Sequence, residues 1–142
     1  MLFKNILVPY DGSSHSKHAF KVALDMAKKY NSKLSMVTVL DTSSGHWGHS
    51  TLWDKALGGA RTLVTKEFES FKSAAEKYKV SFISEIIESH SVTKTIVSYS
   101  KSKKIDLIVM GAHGITGWDK LILGSVTDSL VHRVRCPVLI LR

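Results

Sequence analysis

The chain has one cysteine, Cys136, in 142 residues, so no internal disulfide can form and a packed core must hold the fold. A reducing compartment is expected, and the apolar setting ahead of Pro137-Val138-Leu139-Ile140 reads Cys136 as a small buried hydrophobe. Long hydrophobic runs are missing too: none reaches the roughly 20 residues that a bilayer-spanning helix needs. The opening residues Met1-Leu2-Phe3-Lys4-Asn5 enter a strand-like pattern without a signal-peptide layout. A cytoplasmic protein without a membrane partner is expected. Repeats and low-complexity tracts are absent, and 44% hydrophobic with 23% charged residues excludes disordered and fibrous classes. The length suits a single domain spanning 1–142.

Catalytic constellations are equally absent. The chain holds no Ser-His-Asp order, no Walker lysine motif and no HRD-like loop, and nothing in it supplies a base to orient an attacking water. Binding rather than turnover is therefore expected, with no catalytic residue. His15 with His18, and His46 with His49, have spacings that bring imidazoles together, but no Cys, Asp or Glu completes a ligand set, so no metal site is expected.

Acidic charge is scarce, with 12 Asp and Glu against 20 Lys and Arg, a formal net charge of +8. The lysines run along helical faces, and only Lys101, Lys103 and Lys104 form a short cluster. Without a basic stripe or interleaved aromatics, nucleic acid is not an expected partner. The positive excess suits an anionic ligand without naming it.

What the chain does contain is a regular alternation of strand and helix patterns. Phe3 to Pro9 reads as a strand buried on both faces, because Ile6-Leu7-Val8 is continuous rather than alternating. Asp11-Gly12-Ser13-Ser14 then caps a helix whose apolar stripe, Phe20, Ala23, Leu24 and Ala27, carries it to about Tyr30. Further strands are expected at Leu34 to Leu40, Val80 to Ile87, Ile105 to Met110 and Val138 to Leu141. Helices are expected around Val64 to Tyr78, after Ser91, and from Val126 to Val134. Such alternation predicts an α/β, doubly wound, five-stranded parallel sheet with helices on both faces. Thr42 to Gly59, rich in Ser, Gly, His and Trp, breaks the pattern and is expected to be a surface loop, with room for a short helix.

The most informative stretch is Gly111-Ala112-His113-Gly114, followed after nine residues by Gly124-Ser125. Glycine at a strand's carboxyl end lets backbone N–H groups approach an anion, so Gly111 and Gly114 can form a nest. Gly124-Ser125-Val126-Thr127 reads as a helix start, with Ser125 or Thr127 as the cap and the first-turn N–H groups aimed at a phosphate. His113, Trp47, Trp53 and Trp118 are read as solvent-facing or loop-anchoring rather than as ligands. In open α/β sheets ligands sit beyond the carboxyl ends of the strands, which brings Asp11 toward the glycine loop.

These segments resemble the universal stress protein family: Ile6-Leu7-Val8-Pro9-Tyr10-Asp11-Gly12-Ser13, Asp106-Leu107-Ile108-Val109-Met110-Gly111 and Cys136-Pro137-Val138-Leu139-Ile140 all match. The resemblance covers nearly the whole chain and implies a Rossmann-like sheet of order 3-2-1-4-5. Its ATP-binding branch carries Gly, two residues, Gly, nine residues, then Gly and Ser or Thr, a spacing that Gly111, Gly114, Gly124 and Ser125 satisfy. It implies that Pro9 and Val39 border an adenine, that Met110 packs on the nucleoside, and that Asp11 approaches ribose or phosphate. Gly111, Gly114, Gly124, Ser125, Val126 and Thr127 would hold phosphates and ribose. The expected ligand is ATP, with Mg²⁺ as an optional companion, and the expected role is a nucleotide-dependent stress-response switch with an unknown protein partner. In that switch, bound polyphosphate would order the Gly114 to Gly124 loop. A homodimer through the carboxyl-terminal strand is also implied. Weak ATPase or self-phosphorylation is the alternative, and a non-nucleotide scaffold or an acidic-partner binder a further one. His90 and the Thr42 to Gly59 loop depart from the family pattern.

Overall fold

The computed structural model describes residues 2–42, 51–112 and 124–142, and for 51–55 the course of the helix alone. In chain order the elements are β1 Asn5–Pro9, α1 Ser14–Tyr30, β2 Lys33–Asp41, α2 Thr51–Lys77 and β3 Phe82–Ser89. They continue with α3 Val92–Ser102, β4 Leu107–Gly111, α4 Ser125–Arg133 and β5 Val138–Leu141. The five strands form one parallel sheet in the order β3-β2-β1-β4-β5, the α/β arrangement expected from the sequence.

The unbroken apolar strands follow from burial on both faces. Ile6 and Val8 pack with Phe20, Ala23, Leu34, Met36 and Phe68 in a core beneath α1 and α2. Leu7, one residue out of phase, joins Val37, Ile96, Ile108, Met110 and Leu130 beneath α3 and α4. Successive strand side chains point to opposite faces, so one continuous apolar run supplies both cores. Ile6, Leu7 and Val8 are fully buried, each side chain contributing roughly 1.5–3 kcal/mol, and Leu7→Ala would open a cavity at the centre of the second core.

Two sequence expectations are corrected. Helix α2 begins at Thr51 rather than near Val64, so the latter part of the expected Thr42 to Gly59 loop is helical. Gly58-Gly59 costs about 1 kcal/mol per glycine in propensity, which hid the helix. Both glycines are exposed with open space around them, and beyond them the helix packs Val64, Phe68, Phe71 and Ala75 on the sheet. Residues 43–50 of the expected loop, with His46, Trp47 and His49, lie outside the described residues, as do the side chain of Trp53 and all of His113, Gly114 and Trp118. Cys136 is half-buried rather than fully enclosed, set against the second core. Strand and helix ends otherwise move by one or two residues: β4 starts at Leu107 and includes Gly111. Among the described residues no helix is long and apolar enough to cross a membrane.

Candidate functional site

β1 lies between β2 and β4, and the connections leaving β1 and β4 diverge to opposite faces of the sheet, opening a crevice at their carboxyl ends. The cleft there has a volume of about 260 Å³. Its lining includes Pro9, Asp11, Val39, Met110, Gly111, Gly124, Ser125, Val126 and Thr127, which is nine of the ten residues expected from sequence. Gly114, the tenth, lies outside the described residues.

The polar wall is built by the turn after β1. Tyr10 is held by its N–H, which donates to the Val37 carbonyl at 2.8 Å, and by its carbonyl, which accepts from Thr38 Oγ1 at 2.8 Å. Its hydroxyl donates to Glu67 on α2 while its ring packs edge-on against Phe71, so Asp11 starts from a rigid neighbour. Asp11 is exposed, and its Oδ1 accepts from the Ser13 N–H at 2.9 Å. Ser16 Oγ lies 3.0 Å from that same oxygen and 3.0 Å from the Ser13 carbonyl. Ser13 caps α1 by accepting from the Ser16 N–H at 3.1 Å. Among the described residues, Asp11 Oδ2 takes no hydrogen bond, leaving an acceptor at the cleft mouth.

The opposite wall is the start of α4. The expectation that Ser125 or Thr127 caps this helix is corrected: the cap is Gly124, which has no side chain to offer. The Gly124 N–H donates to the Ala112 carbonyl at 2.7 Å, and the Ala112 N–H donates to the Leu141 carbonyl at 2.7 Å, pinning the helix start to the ends of β4 and β5. Thr127 Oγ1 donates to the Gly111 carbonyl at 3.0 Å. With no capping side chain, the first-turn N–H groups and the positive end of the helix dipole remain available to an anion. Gly124 has φ −59 and ψ 154, an ordinary extended conformation, so what glycine contributes here is room rather than an unusual backbone.

The apolar floor is supplied by Val37 and Val39 of β2, Met110 of β4, and Val92 and Ile96 of α3. Sequence reasoning missed Tyr10, Ser13, Ser16, Val37, Val92 and Ile96 as lining residues. Two of these were within reach of spacing rules: Val37 shares a strand face with Val39, and Ile96 shares a helix face with Val92. Tyr10, Ser13 and Ser16 depend on how the turn after β1 and the start of α1 fold, and Val92 depends on how α3 docks. Among the described residues no group of His, Cys, Asp and Glu gathers into a metal set.

A cleft with an apolar floor, one carboxylate and an open helix start suits a ligand with a flat apolar body and an anionic tail. The sequence model of the Universal stress protein family matches residues 2–142. Universal stress protein MJ0531 of Methanocaldococcus jannaschii is 32% identical over 148 residues, covering 99% of this chain and 83% of that protein. The structure of universal stress protein UspA from Lactobacillus plantarum superposes with a TM-score of 0.86 at 26% identity, covering 100% of this chain and 99% of that one. A universal stress protein solved in complex with cAMP shares the fold, with a TM-score of 0.73 at 20% identity, 100% of this chain and 98% of that chain being covered.

Proposed function

This chain belongs to the universal stress protein family, and from that premise we propose that it is an adenine-nucleotide-binding regulatory protein of the cytoplasm. Its resident ligand is ATP, and it carries out little or no turnover. The observation that carries this reading is the convergence in one cleft of the apolar Val39 and Met110, the carboxylate of Asp11 and the uncapped start of α4. In this reading Pro9 and Val39 border the adenine, Met110 supports the nucleoside, and Asp11 accepts from ribose hydroxyls through Oδ2. Gly111, Gly124, Ser125 and Val126 surround the phosphates, joined by Gly114. Thr127 contributes through its backbone, because its hydroxyl proton is already given to Gly111. The cAMP complex of a protein with the same fold is consistent with a nucleotide in this crevice.

Mg²⁺, as ATP's companion, would bring charge neutralisation of the phosphates. Among the described residues Asp11 is the only carboxylate lining the cleft, and its Oδ1 is already occupied, so most of the ion's ligands would be phosphate oxygens and water. In this reading the nucleotide acts as a state marker: its presence changes the surface at the carboxyl end of the sheet that a partner meets. Strand β5 ends the sheet with Leu139 36% exposed, and it is the proposed seam of a homodimer.

The test is to denature freshly purified protein and identify any released nucleotide by chromatography and mass spectrometry, with Gly114→Val, Gly124→Val in parallel. ATP in the parent and none in the folded variant is expected. A parent that carries no nucleotide and ignores added ATP overturns the reading. Phosphate release above a protein-free control, abolished by Asp11→Ala, would mark a weak ATPase instead.

A further inference from the structure

In a parallel α/β sheet each helix returns the chain to the amino ends of the strands, so helix ends and the connections after them collect on one edge, opposite the cleft. Here that edge is cationic. Helix α1 closes on Lys28 and Lys29, α2 on Lys77, α3 on Lys101 and α4 on Arg133. The segments that enter the strands add Lys4, Lys33, Lys79, Lys103, Lys104 and Arg135. These eleven cations, all exposed, are more than half of the chain's 20.

Hydrogen bonds stitch these segments together. The Lys33 N–H donates to the Lys4 carbonyl at 2.8 Å, and Asn5 Nδ2 donates to the Lys104 carbonyl at 3.1 Å. The carboxylates within these helix ends and connections are Glu76 and Asp106. Asp106 is occupied by backbone, accepting from the Lys4 N–H at 2.8 Å and the Asn5 N–H at 3.1 Å. Among the described residues the salt bridges are Lys17–Glu67 and Arg61–Glu88, neither of them on this edge. The four helix carboxyl ends contribute about −2 in all, far short of cancelling eleven cations set against two carboxylates.

Exposed apolar side chains share the same edge. Leu2 is 75% exposed, Ile83 48%, Tyr78 49% and Tyr30 37%. Lys28 Nζ sits 4.7 Å from the centre of the Tyr78 ring. A recess of about 280 Å³ opens beside Ile83, lined in part by Asn5, Lys33, Ser81 and Lys103. It offers ammonium and hydroxyl donors of the kind a phosphate headgroup accepts.

We infer that this amino-terminal edge of the sheet docks on an anionic phospholipid bilayer. Lysines attract the surface potential, the tyrosines suit the headgroup layer, and Leu2 and Ile83 reach the acyl boundary. Nucleic acid fits less well: the edge has nine lysines to two arginines, and aliphatic side chains gain nothing against a phosphodiester backbone. The sequence, read along separate helices, spread these charges and suggested no membrane partner. The fold gathers them.

The experiment is flotation of the full chain with vesicles of phosphatidylcholine alone or with about 30% phosphatidylserine. Binding to the anionic vesicles and release by about 0.5 M salt are expected. Lys4→Glu, Lys33→Glu, Lys103→Glu is compared with Lys21→Glu, Lys66→Glu, Lys72→Glu on the outer faces of α1 and α2. Each reversal removes two charges, so both triples carry +2 instead of +8. The edge triple is expected to lose roughly a hundredfold in partitioning, and the control triple far less. Glutamine at the same edge positions removes one charge each and reads out a smaller loss, still above the control's, if the glutamates unfold the chain. Leu2→Ser, Ile83→Ser is expected to lower vesicle binding about tenfold while leaving duplex DNA binding unchanged. Equal affinity for both vesicle types, or equal loss in both triples, overturns the inference. So does duplex DNA binding that is tighter than vesicle binding and lost in the edge triple.

Discussion

The Thr127 hydroxyl donates to the Gly111 carbonyl over 3.0 Å, fastening the first turn of α4 to the last residue of β4. That bond is buried and joins the two halves of the glycine signature, so the cleft wall depends on a side chain that the sequence offered as a ligand.

Replacing Thr127 with Val keeps the shape but leaves the Gly111 carbonyl without this partner. Unfolding stability should fall by about 1–2 kcal/mol, and the melting temperature by roughly 3–8 °C. Thr127→Ser should stay within about 1 kcal/mol of the parent. Thermal unfolding of the three proteins decides it, and an unchanged melting temperature in Thr127→Val would refute the structural role.

Gly124→Ser should supply the capping side chain that α4 lacks. Stability is expected to rise by a few tenths of a kcal/mol. The new hydroxyl would occupy the first-turn N–H groups, so nucleotide affinity, read by titration calorimetry, should fall about tenfold.

Asp11→Ala should lower stability by about 1 kcal/mol, because the Ser13 N–H and Ser16 hydroxyl lose their shared acceptor. Asp11→Asn keeps an oxygen at that position and should restore most of the stability. If Oδ2 serves the ribose, Asn should nonetheless bind nucleotide more weakly than the parent, separating the two jobs of one carboxylate.

Burial pushes the Tyr99 hydroxyl above its ordinary 10.0, and the charge of the nearby Glu85 carboxylate adds to the rise. The folded chain keeps this proton after an unfolded chain has released it. The resulting stability is whole below pH 10 and declines as pH climbs through 10 toward the raised folded value. The hydroxyl has no hydrogen-bond partner among the described residues, so Tyr99→Phe should be neutral or stabilise by up to about 1 kcal/mol at pH 7. It should also flatten the alkaline limb in urea unfolding from pH 8 to 11; the same alkaline slope in both proteins would count against this account.

Burial likewise raises the Cys136 thiol above its ordinary 9.0, with a smaller push from Asp106. Reaction with a disulfide reagent at pH 7 should therefore be slower than for an exposed thiol, because the thiolate is the nucleophile. A rate matching free cysteine would contradict it.

Most of the fold was readable because α/β proteins repeat one rule. Ile6-Leu7-Val8 is unbroken because both faces of β1 are covered, and the stripe from Phe20 to Ala27 has one buried face. Where local chemistry conflicts with packing, the reading failed. Gly58 and Gly59 suggested a loop, yet the apolar contacts of Val64, Phe68 and Phe71 carry a helix that extends through them. The candidate site was legible at its glycines and at Asp11, whose residue types are diagnostic. Ser16 and Val92 were not, since a serine and a valine on helices look the same whether they face a cleft or solvent.

By itself the sequence determined the alternation of elements, the strand parity that feeds two cores, and the spacing of Gly111, Gly114, Gly124 and Ser125. These are properties of neighbours along the chain, where φ preference and side-chain period act. Only the tertiary structure decided that the Thr127 hydroxyl turns to Gly111, that Ser16 shares the Asp11 carboxylate, and that eleven cations from five separate segments meet on one edge. Those relations join residues far apart in sequence, and they exist because parallel strands send every helix end back to the same side of the sheet.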